Sequence, residues 1–138
     1  MYDLFKKEDC RAVIFLGDGI REAERLYDMS GAVPVYRVRG NCDMGAFNTP
    51  DEQLIELAGK RIFITHGHNY FVKSGLFRLR ARAMELSADI ALFGHTHSQF
   101  YEKQDGIILA NPGALTFGKY AVMTIDGSIS IKHGDIYE

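Results

Sequence analysis

Residues 89–97 read DIALFGHTH, an apolar run that stops abruptly at a glycine and two closely spaced histidines. Short, continuous apolar runs of this kind are typical of strands that are buried on both faces. The sequence therefore predicts a buried strand over residues 90–93 that carries His95 and His97 at its carboxyl end.

Three other apolar runs end in the same way, at a small residue beside Asp, Asn or His. Residues 13–16 stop at Gly17-Asp18, residues 35–38 lead to Gly40-Asn41-Cys42-Asp43, and residues 62–64 lead to His66-Gly67-His68. Ligand sites in layered α/β folds lie at the carboxyl ends of strands, so we expect these side chains to converge. The converging set would be Asp18, Asn41, His66, His95 and His97.

This set of side chains has the chemistry of a metal site. Imidazole suits Zn, Fe, Mn or Ni, and carboxylate or amide oxygens suit harder divalent ions. No cysteine lies in a zinc-finger spacing, which argues against a closed structural zinc site. If His95 and His97 lie on an extended segment they share a face, and they could then reach two ions about 3.5–4 Å apart.

Each motif also has a plainer interpretation when it is taken alone. Asp18 suits a turn or a helix N-cap, the segment from Gly40 to Asp43 suits a turn, and His66 and His68 suit ordinary core or surface positions. The joint appearance of four such motifs, each at a predicted strand end, favours the metal site. We expect His133 to be structural or exposed.

The remaining pattern predicts an α/β fold with strands in more than one layer and helices outside them. Helices are expected near residues 1–9 and 20–31 and over residues 74–87, where Leu76, Leu79, Ala83 and Leu86 form one stripe. A tight turn at Gly59-Lys60 should join two strands, and further short strands should follow residue 106. Arg78, Arg80 and Arg82 either line a phosphate entrance or, as the spacing favours, form a solvated face.

Composition restricts the classes of function. The chain has 138 residues, which suits one domain, and its formal net charge is −2, so we expect no stable binding to nucleic acid. Two cysteines without a framework spacing favour a reducing, cytoplasmic setting. The first residues do not resemble a signal peptide, and no apolar run approaches the length of a membrane span, so we expect no membrane partner.

The ordered motifs resemble those of the calcineurin-like metallophosphoesterase superfamily, most closely its small bacterial and archaeal phosphodiesterase branch. That family shows an early D-x-H, then GD, GN-[HC]-[DE], H-G-x and G-H-x-H. Four of these segments occur here in order, and NPGA at residues 111–114 also resembles a segment of this branch. The match runs from about residue 10 to near the end of the chain.

The resemblance implies a four-layer αββα sandwich of the metallo-dependent phosphatase type, over residues 1–138. It also implies two divalent ions, with Mn expected first and Ni, Fe or Zn as alternatives. Asp18 would bridge them, Asn41, His66 and His95 would complete one site, and His97 would belong to the other. Asp43 would orient neighbouring groups, and His68 would do the same or contact substrate.

Two departures from the family pattern affect these expectations. Cys42 stands where many members carry a histidine that assists the leaving group, although the small-phosphodiesterase branch often has cysteine there. The early D-x-H, with its strand and the start of the first helix, has no counterpart before Asp18, so the domain is expected to be N-terminally shortened. Either the start is placed too late, or a shortened protein binds metal at one site, with a partner chain or a homo-oligomer covering the gap.

The resemblance implies a hydrolase in which a metal-bound hydroxide attacks a small or nucleotide-like phosphoester. The alternative is a binding or scaffold module that keeps the fold and has weak or no catalysis, as the small retromer subunit suggests. The absent D-x-H favours that alternative. A purely structural α/β domain with incidental histidines is the third and least favoured hypothesis.

Overall fold

The computed structural model describes residues 11–17, 34–40 and 49–135 of the chain. In order along the chain, the strands and the α-helix are β1 (Val13–Phe15), β2 (Val35–Arg37), β3 (Glu52–Leu57), β4 (Lys60–Thr65), α1 (Phe77–Glu85), β5 (Ile90–Leu92), β6 (Phe100–Gln104), β7 (Ile107–Asn111), β8 (Lys119–Asp126) and β9 (Ser128–Asp135). Single 3₁₀-helical turns occur at His68–Tyr70, Val72–Ser74 and Leu115–Phe117.

A five-stranded mixed sheet with the order β3-β4-β5-β7-β6 is the largest layer. Its three inner strands, β4, β5 and β7, run parallel, and each edge strand is antiparallel to its neighbour. Because parallel strands point the same way, the residues that follow β4 and β5 emerge at one edge of the sheet. This is the edge at which the histidine motifs leave their strands.

Alternation along the inner strands sends side chains to opposite faces of the sheet. Phe63 and Ala91 pack on one face with Leu79 and Ala83 of α1. The stripe predicted for this helix is therefore confirmed, and Leu76 and Leu86 at its ends pack against the same cluster. A helix of 3.6 residues per turn places such a stripe along one side, and in α1 that side faces the sheet.

The other face of the sheet packs against two smaller sheets. Ile62 and Ile64 lie on this face together with residues of the parallel pair β1–β2 and the hairpin β8–β9, including Ile14 and Met123. Strands therefore lie in more than one layer with a helix outside, as predicted for an α/β fold. The helices predicted near residues 1–9 and 20–31 lie outside the described residues.

The turn between β3 and β4 corrects one detail of the sequence prediction. Its two central residues are Ala58 and Gly59, with φ of 51° and 80°, and Lys60 is already the first residue of β4. Two residues with positive φ give the hairpin geometry whose twist matches that of the flanking strands. The predicted turn at Gly59-Lys60 was therefore one residue too late.

Strand β6 was missed in the sequence because its residues, FYEKQ, are largely polar. It lies at the edge of the sheet, where charged side chains are common because one side of the strand is solvated. The turn at Asp105-Gly106, with φ of 55° and 79°, returns the chain into β7. Pairing with β7, rather than apolar content, makes this segment a strand.

The arginines of α1 form a solvated face, which is the interpretation that their spacing favoured. Arg80 forms an ion pair with Glu102, and Arg82 is paired 2.9 Å from Glu85. Arg78 lies with its guanidinium carbon 4.7 Å from the centre of the Phe71 ring. None of the helices in the described ranges combines the length and the apolar character that a membrane crossing requires.

Replacing Leu79 by alanine tests the packing of α1 on the sheet. Leu79 is fully buried, so we expect Leu79→Ala to lower the free energy of unfolding by about 2–5 kcal/mol. Phe77 on the same helix is 84% exposed, and Phe77→Ala should change it by less than about 0.5 kcal/mol. Urea unfolding of both variants measures the difference, and equal effects would contradict this placement of the helix.

Candidate metal centre

His66 directly follows β4, and a hydrogen bond to Leu16, the residue after β1, holds its side chain. Its side chain is buried, with 2% exposure, and Nδ1 lies 2.7 Å from the Leu16 carbonyl oxygen. A carbonyl oxygen only accepts, so Nδ1 carries the proton and donates it. When the ring is neutral, its lone pair is then on Nε2, which is the arrangement that metal-binding histidines generally show.

His95 lies opposite the lone pair of His66. The Nδ1 atom of His95 is 3.1 Å from Nε2 of His66, and the two ring centroids are 4.9 Å apart. Two imidazole nitrogens on one tetrahedral ion, at metal–nitrogen distances of about 2.0–2.1 Å, are roughly 3.3 Å apart. The observed pair is close to that spacing, so these residues fit one shared ion.

The loop that carries His95 and His97 is tightly turned, which corrects the expectation of an extended segment. Both histidines have left-handed backbones, with φ of 66° and 62°, and Thr96 N donates to Gly94 O over 2.7 Å. Such conformations are costly for residues other than glycine, and they are concentrated at functional sites. Because the segment is not extended, the period of two that placed both imidazoles on one face does not apply.

Asn111 at the end of β7 holds this loop in place. Its side chain is fully buried, and Nδ2 donates to Gly94 O at 3.1 Å and to Thr96 Oγ1 at 3.0 Å, while Oδ1 accepts from Gly113 N at 2.8 Å. The sequence interpretation gave Asn111 no role. It nevertheless ends an apolar run in the same way as the four motifs that were selected, and that signal would have found it.

His68 completes a cluster of three imidazoles, His66, His68 and His95, which we call the histidine cluster. The ring centroid of His68 lies 5.4 Å from that of His66 and 6.3 Å from that of His95. Nδ1 of His68 is buried and, among the described residues, has no hydrogen-bond partner. A buried nitrogen without a partner is costly, so it marks a position where an additional group would be stabilised.

The turn that carries His68 is fastened at its far end by Tyr70. The Tyr70 hydroxyl donates to Glu52 on β3, and Arg82 of α1 lies 3.9 Å from the same carboxylate. Burial and the carboxylate of Glu52 raise the pKa of Tyr70 from 10.0 to about 12, since both disfavour the phenolate. The folded protein therefore stabilises the neutral phenol of Tyr70 relative to the phenolate. The sequence interpretation did not identify this contact.

Two glycines bring the ends of β1 and β2 close to His66. A Cβ atom added to Gly17 would lie 2.7 Å from Gly40 N and 2.9 Å from Nδ1 of His66, so the packing leaves room only for glycine. Gly17 also has a φ of 101°, which side chains disfavour. Asp18 and Asn41 are the next residues in sequence, and with Cys42 and Asp43 they lie outside the described residues.

His97 has a different environment from the histidine cluster. Its side chain is exposed, and its ring packs against Phe117, with centroids 6.0 Å apart and planes inclined at 58°. His133, as expected, is structural, because its Nε2 lies 2.8 Å from the main-chain oxygen of Asn111.

The metal-ligand set cannot be completed from the described residues alone. Within residues 11–17, 34–40 and 49–135, no three His, Cys, Asp or Glu side chains are placed to hold one ion. The donor chemistry nevertheless fits a divalent metal, because the neutral His66 ring presents its lone pair towards a second imidazole. Of the five predicted ligands, His66 and His95 are brought together.

Comparison with known proteins identifies the class to which this fold and site belong. The sequence profile described as "Calcineurin-like phosphoesterase superfamily domain" matches residues 1–128. The match covers most of the chain, so the protein belongs to the calcineurin-like phosphoesterase superfamily, as its motifs predicted.

Individual relatives share this fold. "Probable metallophosphoesterase YsnB" of Bacillus subtilis is 35% identical over 99 residues, covering 67% of this chain, which in turn spans only 58% of the relative's length. The crystal structure of a predicted phosphoesterase from Streptococcus pneumoniae has the same fold, with 26% identity and a TM-score of 0.81. The match covers 97% of this chain and 80% of the other chain. Vacuolar Protein Sorting 29 from Cryptosporidium parvum has the same fold, at 20% identity and a TM-score of 0.74, with 97% and 86% coverage of the two chains.

Replacing Gly17 by alanine tests the close approach at His66. We expect Gly17→Ala to weaken Mn²⁺ binding by tenfold or more, because the new methyl group displaces the hydrogen-bonded ring; losses of about 10–100-fold are usual when a ligand's support is disturbed. Gly59→Ala is the matched control, since Gly59 also has positive φ but an added Cβ meets no atom within 4 Å. It should lose about 1–2 kcal/mol of stability and bind Mn²⁺ normally. Unchanged binding by folded Gly17→Ala would contradict the geometry.

The raised pKa of Tyr70 predicts a specific alkaline transition. The phenol's contribution to stability should be fully present below pH 10, the ordinary value, and be lost as the pH rises through about 12. An ultraviolet titration of tyrosinate should show a late-titrating group near 12 that is absent in Tyr70→Phe. Glu52→Gln should shift it to lower pH, because the negative charge beside the phenol is removed. A wild-type titration without that late component would disprove the assignment.

Proposed function

We propose that this protein is a metal-dependent phosphodiesterase that hydrolyses a small or nucleotide-like phosphoester. The observation that carries the proposal is the His66–His95 pair. The Leu16 carbonyl accepts the proton on Nδ1 of His66, and Nε2 of the same ring lies 3.1 Å from Nδ1 of His95. A structural histidine in a core needs no second imidazole opposite its lone pair. Membership of the superfamily supports the same chemistry.

We propose that Asp18 and Asn41 complete the first metal position with His66 and His95. In support, Gly17 packs against both Gly40 and His66, and Gly17 and Gly40 directly precede Asp18 and Asn41 in sequence. Asp18 would bridge to a second ion, to which His97 belongs, and Asp43 would orient a neighbouring ligand. Mn²⁺ is our first choice, with Ni, Fe or Zn as alternatives, since all accept imidazole and oxygen ligands.

A divalent ion held here would supply a water of lowered pKa and would stabilise negative charge on the phosphoryl oxygens. The chain's own groups orient the reactants. His66 keeps its proton on Nδ1, where Leu16 accepts it, and so offers only Nε2 to the site. We assign His68 to substrate contact, because its buried Nδ1 lies within the histidine cluster and has no partner among the described residues.

A binding or scaffold module with the same fold is the second candidate. It is favoured by the position of His97, which packs in an exposed pair with Phe117 rather than within the histidine cluster. A single ion without a second is a weaker catalyst of phosphoryl transfer, because it stabilises only part of the developing charge. Metal stoichiometry and turnover together distinguish the two candidates.

The setting of the protein is also a proposal. We infer a cytoplasmic location from the two cysteines and their spacing, and no stable nucleic-acid binding from the net charge of −2. A homo-oligomer that completes the site is proposed as an alternative to a self-sufficient chain.

Removing one proposed ligand tests the function directly. We expect Mn²⁺-dependent hydrolysis of bis-p-nitrophenyl phosphate, and a loss of about 100-fold or more in His95→Ala and Asn41→Ala, because several kcal/mol of charge stabilisation are lost with the ion. Phe77→Ala, at an exposed position of α1, is the control and should keep Mn²⁺ binding. Turnover that survives both ligand substitutions would refute the site. One bound ion per chain without turnover would instead establish the scaffold candidate.

A further inference from the structure

We propose that Phe117 forms a stacking surface for the nucleobase of a nucleotide whose phosphate lies at the candidate metal centre. The inference rests on the proposed function and adds the substrate class and the residue that selects it. It starts from an exposed aromatic ring in direct contact with a predicted metal ligand.

Phe117 is exposed although its ring is large and apolar. It is 59% exposed and belongs to neither apolar core cluster. Its ring instead contacts that of His97, with centroids 6.0 Å apart. A single exposed phenylalanine is ordinary on a protein surface, but this one packs beside His97, a predicted metal ligand two residues along the chain from His95.

The main chain of the turn that presents Phe117 is held by hydrogen bonds. Phe117 N donates to Ala114 O at 3.0 Å, Gly118 N to Leu115 O at 2.8 Å, and Lys119 N to Ala114 O at 3.1 Å. A turn whose main chain is ordered before binding reduces the entropy lost when a ligand stacks on its side chain. A preorganised aromatic surface is therefore more than an incidental exposed side chain.

Asn111 connects this turn to the loop that carries the histidines. Its Nδ2 bonds to Gly94 and Thr96 on the histidine loop, and its Oδ1 bonds to Gly113 on the approach to Phe117. One buried amide thus links the loop that carries His97 to the segment that leads to Phe117. In a nucleotide the sugar holds the phosphate and the base at a nearly fixed distance. Two rigidly linked loops can match that distance.

Other exposed phenylalanines in the described residues do not share this arrangement. Phe71 has the guanidinium of Arg78 over its ring, and Phe77 makes none of the described ring contacts. Stacking accepts any base because every base has a π-face. The absence of a basic excess in the sequence favours a mononucleotide-sized ligand over a polymer, whose phosphates would require many cations.

Binding to the Mn²⁺-loaded full-length chain tests the inference without relying on catalysis. Adenosine 5′-monophosphate and ribose 5-phosphate share the sugar phosphate and differ by the base. Isothermal titration calorimetry should give about tenfold tighter binding of the nucleotide, which is within the range usual for one stacked base. Phe117→Ala should abolish that difference and leave ribose 5-phosphate affinity unchanged.

Two further variants make the result specific to the ring. Phe117→Tyr keeps an aromatic face and should retain the preference, while Phe77→Ala removes an even more exposed phenylalanine and should bind both ligands as the wild type does. Equal affinities for the two ligands in the wild type, or a preference that survives in Phe117→Ala, would overturn the inference and leave the proposed function intact. Binding of neither ligand by the Mn²⁺-loaded protein would overturn both.

Discussion

The hydrogen bond from His66 Nδ1 to the carbonyl oxygen of Leu16 is the interaction on which the site depends. It joins the end of β4 in the large sheet to the end of β1 in a different sheet, over 2.7 Å and in a nearly water-free position. Because it fixes the proton on one nitrogen, it determines which nitrogen faces His95. The packing of the two sheets therefore also fixes which nitrogen of His66, a predicted metal ligand, carries this proton.

Several parts of this arrangement were predictable from the sequence because they follow from local patterns. Continuous apolar runs predicted β1, β2, β4 and β5, and the stripe of Leu79 and Ala83 predicted the buried face of α1. Strand ends with polar residues predicted the meeting of His66 and His95, since parallel strands end at one edge. Strand β6 was missed, because it forms by pairing with β7 and its own largely polar residues show no strand pattern.

Other features of the site depend on conformations that a pattern of residue types does not specify. The left-handed backbones of His95 and His97 are imposed by hydrogen bonds from Asn111, which lies some distance along the chain and was assigned no role. Likewise, the contact between Tyr70 and Glu52 joins a turn to an edge strand across the sheet. Long-range side-chain hydrogen bonds of this kind leave no periodic signal in the sequence.

Strain in the histidine loop has a physical explanation in this context. A left-handed backbone at a non-glycine residue costs about 1–3 kcal/mol. The loop holds two such residues, His95 and His97, on either side of Thr96. The buried amide of Asn111, with three hydrogen bonds, offsets that cost and rigidifies the loop. A relaxed loop would let the two nitrogens of His66 and His95 separate, and a pair of rings held close together is the arrangement that a shared cation stabilises. The same amide also accepts from Gly113 N on the approach to the turn that bears Phe117, so a single buried side chain links the two loops.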